Sequence, residues 1–300
     1  MQQIACKNNQ VFINPLSLRN KETPAFLNHR IRSDIYIIYL SRSIILIYVQ
    51  VSKSLVIIPT YNEKENIQRL IESVFSLSKP FDIFIIDDHS PDGTASIIKS
   101  LMTRYPNSLH LLERAGKLGL GTAYITGFKW ALEHAYDYIF EMDADFSHNP
   151  ADLISLYDAC ALNGADLAIG SRYITGVNVV NWPIGRVLMS YYASAYVRFI
   201  TRMSIRDTTA GFKCYTRKVL QAVDLDNIRF KGYAFQIEMK FTIWKMGFQI
   251  VEVPIIFTER KLGSSKMSGG IFSEAVFGVI LMKWRSFFRK YKPVAGSAHE

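Results

Sequence analysis

Two aspartates one residue apart, Asp143 and Asp145, follow a β-branched and aromatic run in Glu141-Met142-Asp143-Ala144-Asp145-Phe146-Ser147-His148. In a strand, side chains at i and i+2 share a face, so both carboxylates can converge on one cation where the strand frays into a loop. Oxygen-only pairs suit Mg²⁺ or Mn²⁺, which reach a protein through one or two carboxylates plus substrate phosphates. The chemistry indicated is that of a nucleotide diphosphate. A solvated turn competes for the same residues, and the rest of the chain has to decide.

Further polar clusters recur at similar intervals. Pro59-Thr60-Tyr61-Asn62-Glu63 combines a turn, an aromatic ring and a carboxylate that can frame a base and ribose; Asn62 is also read as a helix N-cap, with Glu63 favouring the helix start. In Asp87-Asp88-His89-Ser90-Pro91-Asp92-Gly93-Thr94, Asp88 is the functional candidate, while Asp92 and Gly93 have the chemistry of a turn. Gly116-Lys117-Leu118-Gly119-Leu120-Gly121 looks like a phosphate-cradling loop. It lacks the spacing of both the P-loop and the dinucleotide fingerprint, which disfavours a nucleotide kinase or a dehydrogenase. Lys117 either approaches a diphosphate or is simply solvated.

The elements that must position these clusters follow from periodicity. Strands are expected at Ser54–Pro59, Phe81–Ile86, Leu109–Leu112, Tyr138–Met142 and Asp166–Gly170. Between them, helices are expected over Glu63–Ser76, Asp92–Tyr105, from the Gly-rich turn to His134, and from Asn149-Pro150 to Asn163. Strands alternating with helices at this spacing imply an α/β fold with a mostly parallel sheet covered on both faces. Ligands of such sheets sit at the carboxyl ends of the strands, where every one of these clusters falls.

Composition narrows the class further. The 300 residues are 49% hydrophobic, enough for a full core, which excludes disordered and fibrous classes. The net charge of +9 is uneven, since residues 1–53 hold seven Lys/Arg against two acids. Lys283, Arg285, Arg289, Lys290 and Lys292 form a basic cluster after an apolar segment, which fits an anionic membrane face better than nucleic acid. Cys6, Cys160 and Cys214 show no metal-ligand spacing and are expected as reduced thiols. No uninterrupted apolar run approaches the roughly 18 residues of a membrane span. The nearest, Ile35 to Val51, is interrupted by Arg42, and no signal-peptide pattern is present.

Eight motifs in order carry a resemblance. Pro59-Thr60-Tyr61-Asn62-Glu63, Asp87-Asp88 with Ser90-Pro91-Asp92-Gly93-Thr94, Lys117-Leu118-Gly119-Leu120-Gly121-Thr122-Ala123-Tyr124, Asp143-Ala144-Asp145-Phe146-Ser147-His148 and Gly170-Ser171-Arg172-Tyr173 are followed by three more. These are Asp207-Thr208-Thr209-Ala210-Gly211-Phe212, Lys231-Gly232-Tyr233-Ala234-Phe235-Gln236, and Glu259-Arg260 with Gly263-Ser264-Ser265-Lys266-Met267. Over roughly Ser54 to Lys290 the chain resembles the polyprenol (dolichol) monophosphate mannose synthases, inverting glycosyltransferases of the Rossmann-like GT-A fold.

The resemblance implies GDP-mannose as donor, a polyprenyl phosphate as acceptor, a polyprenyl-phosphate β-mannose as product, and Mg²⁺ or Mn²⁺ as cofactor. Pro59, Tyr61, Glu63, Ile86 and Asp88 match positions that hold the guanosine end, and Asp143, Ala144, Asp145 and Ser147 match the metal and diphosphate positions. Ser147 stands where some members carry Gln and is the weaker ligand. Arg172, Arg260 and Lys266 match basic positions around the donor and acceptor phosphates, with Lys266 in a Gly/Ser-rich loop suited to closing over substrate. Asp207 orients a sugar or a basic residue, or is a turn carboxylate. A phosphate acceptor needs no general base, because its second pKa of about 6 leaves it largely anionic near neutral pH. Alternatives are a UDP-sugar donor (glucose or N-acetylglucosamine) with the same lipid, or a catalytically silent lipid- or nucleotide-binding subunit.

A lipid acceptor gives two apolar segments a role. Residues 183–203 place Ile184, Leu188, Tyr191, Ala195 and Phe199 on one helix face and Arg198 and Arg202 on another, and residues 271–290 run apolar and then basic. Core helices are one explanation; amphipathic helices at the bilayer interface are the other. The expected organisation is an N-terminal extension over 1–52, poorly ordered or spurious, with a membrane-associating arm as the competing explanation. A glycosyltransferase domain follows over 53–290, with a tail over 291–300. The expected location is peripheral, on the cytoplasmic face of a membrane, docking alone or with a membrane-anchoring protein partner.

Overall fold

The computed structural model describes residues 52–232, 234–260, 270–289 and 291, together with four strands before residue 52. The chain divides into two units, Met1–Val51 and Ser52–Glu300. In the first, β1 (Cys6–Lys7) pairs antiparallel with β2 (Gln10–Val11), and β3 (Ile35–Leu40) pairs antiparallel with β4 (Ser43–Tyr48). The apolar run around Arg42 is therefore two paired strands.

The second unit is built on β5 (Ser54–Thr60), β6 (Asp82–Asp87), β7 (Leu109–Glu113), β8 (Tyr138–Glu141), β9 (Leu167–Ser171), β11 (Lys213–Thr216) and β12 (Ile250–Pro254), in the order β12-β9-β11-β8-β5-β6-β7. All neighbours are parallel except β11, which is antiparallel to both β8 and β9. Side-chain alternation splits β5 between two cores: Leu55 and Ile57 face one side of the sheet, Val56 and Ile58 the other. Burial on both faces is why the strand reads as a continuous apolar run.

The Val56 side is covered by α1 (Ile67–Phe75), α2 (Thr94–Met102) and α4 (Asp152–Ala161). The other side carries α3 (Leu120–Glu133), α5 (Ile184–Thr201), α6 (Arg217–Ala222), α7 (Ala234–Lys245) and α8 (Gly270–Arg285). A two-residue parallel pair, β10 (Val179–Val180) with β13 (Phe257–Thr258), lies outside the main sheet. Among the described residues no helix is long and apolar enough to cross a membrane.

Several helix starts differ from the sequence expectation. Asn62 is not the N-cap of α1: it adopts φ 55°, and the Glu63 carbonyl collects the N–H groups of Asn66 and Ile67 in a turn that delays the helix to Ile67. Asp92 caps α2 instead of opening it, accepting from Thr94 N and Thr94 Oγ1 at 3.0 and 2.6 Å, while Gly93 supplies a φ of 92° that L-residues rarely adopt. Asn149, expected as a cap with Pro150 opening the helix, instead sits in the turn before it: its Oδ1 accepts from Ala151 N at 3.1 Å, Ala151 is the N-cap, and α4 starts at Asp152.

The sequence expectations did not include β11, α6, α7 or β12, and α7 shows why. Every residue of α7 from Ala234 to Ile243 is buried, including Gln236, Glu238 and Lys240, so the helix has no polar face to set a period. Its polar side chains are spent inside. Glu141 and Lys213, opposite one another on β8 and β11, form an enclosed ion pair at 3.0 Å. Glu141 also accepts from Tyr215 Oη at 2.6 Å and Gln236 Nε2 at 2.7 Å, and Lys213 donates to Gln236 Oε1. Burial pushes the Lys213 amine below its ordinary pKa, and Glu141 pulls it back. Lys213→Met leaves Glu141 buried without its cation, and denaturant unfolding should show a loss of about 3–5 kcal/mol. Adding Glu141→Leu should restore part of that loss.

Candidate active site

The parallel strands β5, β6 and β8 end side by side, with Thr60 opposite Asp87, and their loops form one rim. Asp87 is the joint between the first two. Its Oδ1 accepts from Thr60 Oγ1 (2.7 Å) and Ser90 Oγ (2.6 Å), and its Oδ2 from Ser90 N (2.8 Å). Glu63 is buried beside it, its N–H donated to Thr94 Oγ1 and its Oε2 accepting from Asn66 Nδ2. Lys117 Nζ lies 5.1 Å from the centre of the Tyr61 ring, placing a cation and an aromatic face together at the rim. Pro59 is the penultimate residue of β5, whereas Ile86 and Ala144 are enclosed in the cores.

Asp88 has a partner that sequence reasoning missed. Arg114, directly after β7, donates Nε to Asp88 Oδ1 at 2.5 Å, NH1 to Thr122 Oγ1 at 2.7 Å and NH2 to the Gly119 carbonyl at 3.2 Å. The pair ties the end of β6 to the Gly-rich loop. Burial raises the Asp88 pKa, with Arg114 opposing. A usable signal was the position of Arg114: a cation at a strand's carboxyl end, beside glycines. Those glycines are explained by packing. A Cβ on Gly119 would lie 3.1 Å from the Lys231 carbonyl, and one on Gly121 would lie 2.8 Å from the Phe230 carbonyl and the Phe235 ring.

At the centre, the loop after β8 turns through Phe146 at φ 60°. Asp145 Oδ1 accepts from Ser147 N at 3.0 Å and its Oδ2 pairs with Arg260 at 2.8 Å. Ser147 is buried, and its carbonyl accepts from Thr258 N, so it fixes the loop through its backbone. His148 is enclosed, stacked on Phe212 at 4.8 Å, and accepts from Asp143 N on Nδ1 at 3.3 Å. Burial depresses the imidazole to about 4, which keeps that nitrogen an acceptor. Asp143 is pushed up to about 7 by desolvation and then by the Asp145 charge, with Arg260 acting the other way. A carboxylate pair short of positive charge fits a hard divalent cation. Among the described residues no three His, Cys, Asp or Glu side chains converge as a metal-holding group.

The far wall is cationic and aromatic. Arg172 grips Asp207 in a fork, Nε to Oδ2 and NH2 to Oδ1 both at 2.7 Å, and donates to Thr209 Oγ1. Burial works against the Asp207 carboxylate, yet Arg172 holds it below its ordinary pKa. Asp207 thus orients a basic residue, one of the roles its motif suggested. Arg172 lies 5.6 Å from the Phe257 ring centre, and Phe257 meets His148 edge-on at 5.4 Å, joining this wall to the carboxylate loop. Arg186, not singled out in the sequence, stacks on Trp182 at 4.3 Å and pairs with Glu259, next to Arg260. Lys266 and its Gly/Ser-rich loop lie outside the described residues.

An α/β sheet with a carboxylate loop at the carboxyl ends of its strands and facing cations defines a GT-A-like transferase site. Residues 55–224 match the family model described as "Glycosyl transferase family 2". A polyprenol monophosphomannose synthase of Mycolicibacterium smegmatis is 47% identical over 227 residues, 76% of this chain and 85% of that protein. An undecaprenyl-phosphate mannosyltransferase of Micrococcus luteus is 47% identical over 225 residues, 75% of this chain and 91% of that protein. The chain belongs to glycosyl transferase family 2, and its motif resemblance to the polyprenol monophosphate mannose synthases is borne out. Solved structures share the fold at low identity. They include the mannosyltransferase PcManGT from Pyrobaculum calidifontis in complex with GDP-Man and Mn²⁺ (17% identity, TM-score 0.52, covering 82% of this chain and 67% of that one). Another is glucosyl-3-phosphoglycerate synthase from Mycobacterium tuberculosis with Mn²⁺, UDP and glucosyl-3-phosphoglycerate (16% identity, TM-score 0.57, covering 82% of each chain).

Arg114→Met should lower stability by about 3 kcal/mol at neutral pH, because Asp88 keeps its burial and loses its cation. The Asp88 pKa, already raised in the fold, then rises further. A carboxyl that binds protons more tightly folded than unfolded regains stability as pH falls through its folded pKa. Unfolding curves should therefore show the deficit in full above that pKa and shrinking towards about pH 4.

Proposed function

We propose that the protein transfers mannose from GDP-mannose to a polyprenyl phosphate, with inversion, at the cytoplasmic face of a membrane. The observation that carries this is the convergence of the Asp143–Asp145 pair with Arg260 and, across Phe257, with the forked Arg172. Identity of 47% to two polyprenyl-phosphate mannosyltransferases over three quarters of the chain supports the sugar and the lipid class.

The donor lies along the rim. Pro59, Tyr61, Glu63 and Asp88 frame the guanosine, with Ile86 shaping the sheet beneath it, and Lys117 faces the diphosphate from beside Tyr61. Asp143 and Asp145, the latter positioned by the Ser147 N–H, with Ala144 between them and Ser147 as the weaker third position, would hold Mg²⁺ or Mn²⁺, which would supply positive charge at the leaving diphosphate. Arg260 and Lys266 add cationic charge at the same oxygens. Arg172, oriented by Asp207 and Thr209, supplies cationic charge to the acceptor phosphate. An acceptor oxygen attacks the anomeric carbon as the bond to the diphosphate breaks, GDP leaves, and the configuration inverts. The nucleophile is already anionic, so no side chain takes its proton.

Two exposed apolar faces accommodate the lipid. In α5, Ile184, Leu188, Tyr191, Tyr192 and Phe199 face outwards, while Ser194, Val197 and Thr201 face the core. In α8, Phe277, Ile280, Leu281 and Trp284 form an outward stripe that continues through Phe287 and Phe288. The helices pack together, with Tyr196 Oη donating to the Val276 carbonyl at 3.0 Å. Their surface is a docking face for the bilayer.

Purified protein with GDP-mannose, Mn²⁺ and a polyprenyl phosphate should form a glycolipid that chelation prevents, and Asp145→Ala should cut turnover on the order of a thousandfold. Stronger calorimetric binding of UDP than of GDP would favour the UDP-sugar alternative. Sedimentation with phosphatidylcholine vesicles tests docking: Phe199→Ser with Phe277→Ser should weaken binding about tenfold or more. Vesicle binding by the purified chain would also show that no anchoring protein is required.

A further inference from the structure

Away from the carboxylate loop, a cavity of about 540 Å³ opens between the approach to α7 and the end of α8. Its walls carry three guanidinium groups, Arg229, Arg285 and Arg289, and the aromatic side chains of Phe230, Trp284, Phe288 and Tyr291. The one carboxylate there, Glu238, is committed elsewhere: its Oε2 accepts from the backbone N–H groups of Arg229 and Phe230 at 2.8 and 3.0 Å. Those bonds hold the strand of chain that carries Arg229 against α7. Three cations against one buried carboxylate leave the cavity with a net positive charge of two.

Its mouth is defined by side chains with a second affinity. Trp284 and Phe288 line the cavity and are also 58% and 75% exposed, on the same outward stripe of α8 as Phe277, Ile280 and Leu281. Arginine forks recognise phosphate oxygens in pairs, and aromatic rings suit the boundary between headgroup and acyl chain. A ligand satisfying both halves is anionic at one end and apolar at the other.

We propose that this groove binds the phosphate headgroup of an anionic phospholipid of the host bilayer, at a site separate from the acceptor phosphate. The proposal rests on the docking of α5 and α8 at a membrane and adds a headgroup preference to it. The groove sets how the protein sits: the lipid phosphate is gripped by Arg285 and Arg289 at the end of α8, with Arg229 closing from α7's side, while the apolar stripe enters the acyl region. Lys283 lies on the same helix outside the cavity and serves as a comparison of equal charge, its Nζ resting against the Phe287 ring.

Sedimentation of the full chain with vesicles of phosphatidylcholine alone, or mixed with phosphatidylglycerol, tests this. Arg285→Lys with Arg289→Lys keeps the charge but removes the forks, and should weaken binding to the mixed vesicles about tenfold with no change on phosphatidylcholine. Lys283→Gln should cost about fivefold or less, the effect of one diffuse charge. Parental binding by the double lysine variant, or a Lys283→Gln loss as large as the double variant's, would each overturn the groove. Failure of the unsubstituted chain to bind either vesicle would instead overturn membrane docking itself. A glycosyl-transfer assay in detergent with a short-chain acceptor checks that the double variant is folded, because neither arginine belongs to the catalytic site.

Discussion

The enclosed pair of Glu141 and Lys213 is the constraint on which both halves of the site depend. Burying two charges is costly unless each is fully bonded, and here Tyr215 and Gln236 complete the set. The same bonds join three elements: β8, which releases the Asp143–Asp145 loop; β11, whose approach carries Asp207; and α7. Lys240, one turn further along α7 from Gln236, donates to the carbonyls of Thr208 and Ala210 at 2.9 and 2.6 Å. It thereby clamps the turn that aims Asp207 at Arg172. One buried helix thus braces the carboxylate loop through Gln236 and the cationic wall through Lys240. Strand β11 runs against its neighbours because this arrangement brings its entrance, rather than its exit, to the catalytic rim.

What the sequence revealed follows the same physics. The parallel half of the fold was legible because two-sided burial writes continuous apolar strands, and half-exposed helices such as α1 write an apolar stripe at Ile67, Leu70, Ile71 and Val74. Helix α7 was not, because its polar residues are inside. The carboxylate pair and Arg172 were legible as residue types at strand ends. Arg114 and His148 act through partners brought in by the fold, Asp88 from another strand end and Phe212 from another segment, which no local pattern shows. In the Gly-rich loop, Gly119 and Gly121 answer the close approach of Lys231 and Phe230, a packing reason that the local pattern does not show.

Helices α5 and α8 illustrate a different limit. An apolar stripe at helical spacing ordinarily marks the side that meets the core, and in α5 it marks the side that does not: Ser194 and Thr201 are buried while Ile184 and Phe199 are exposed. The period is the same whichever medium receives the apolar face. Only the fold distinguishes protein core from an external apolar phase, and it leaves α5 and α8 packed together with apolar side chains exposed on both.

The pairing of carboxylates with guanidinium groups across the rim also separates structural from chemical charge. Asp207 and Arg172 meet in a full fork inside the protein, so their relative position is fixed before any substrate arrives. Arg260 meets Asp145 with a side chain that is a quarter exposed, and its carboxylate partner lies beside Asp143, whose pKa is raised first by burial and then by the Asp145 charge. The two kinds of charge at the rim therefore differ in what they still need. The fork at the wall is satisfied within the protein and fixes the geometry there, whereas two carboxylates side by side at the centre form the type of donor set that suits a hard divalent cation.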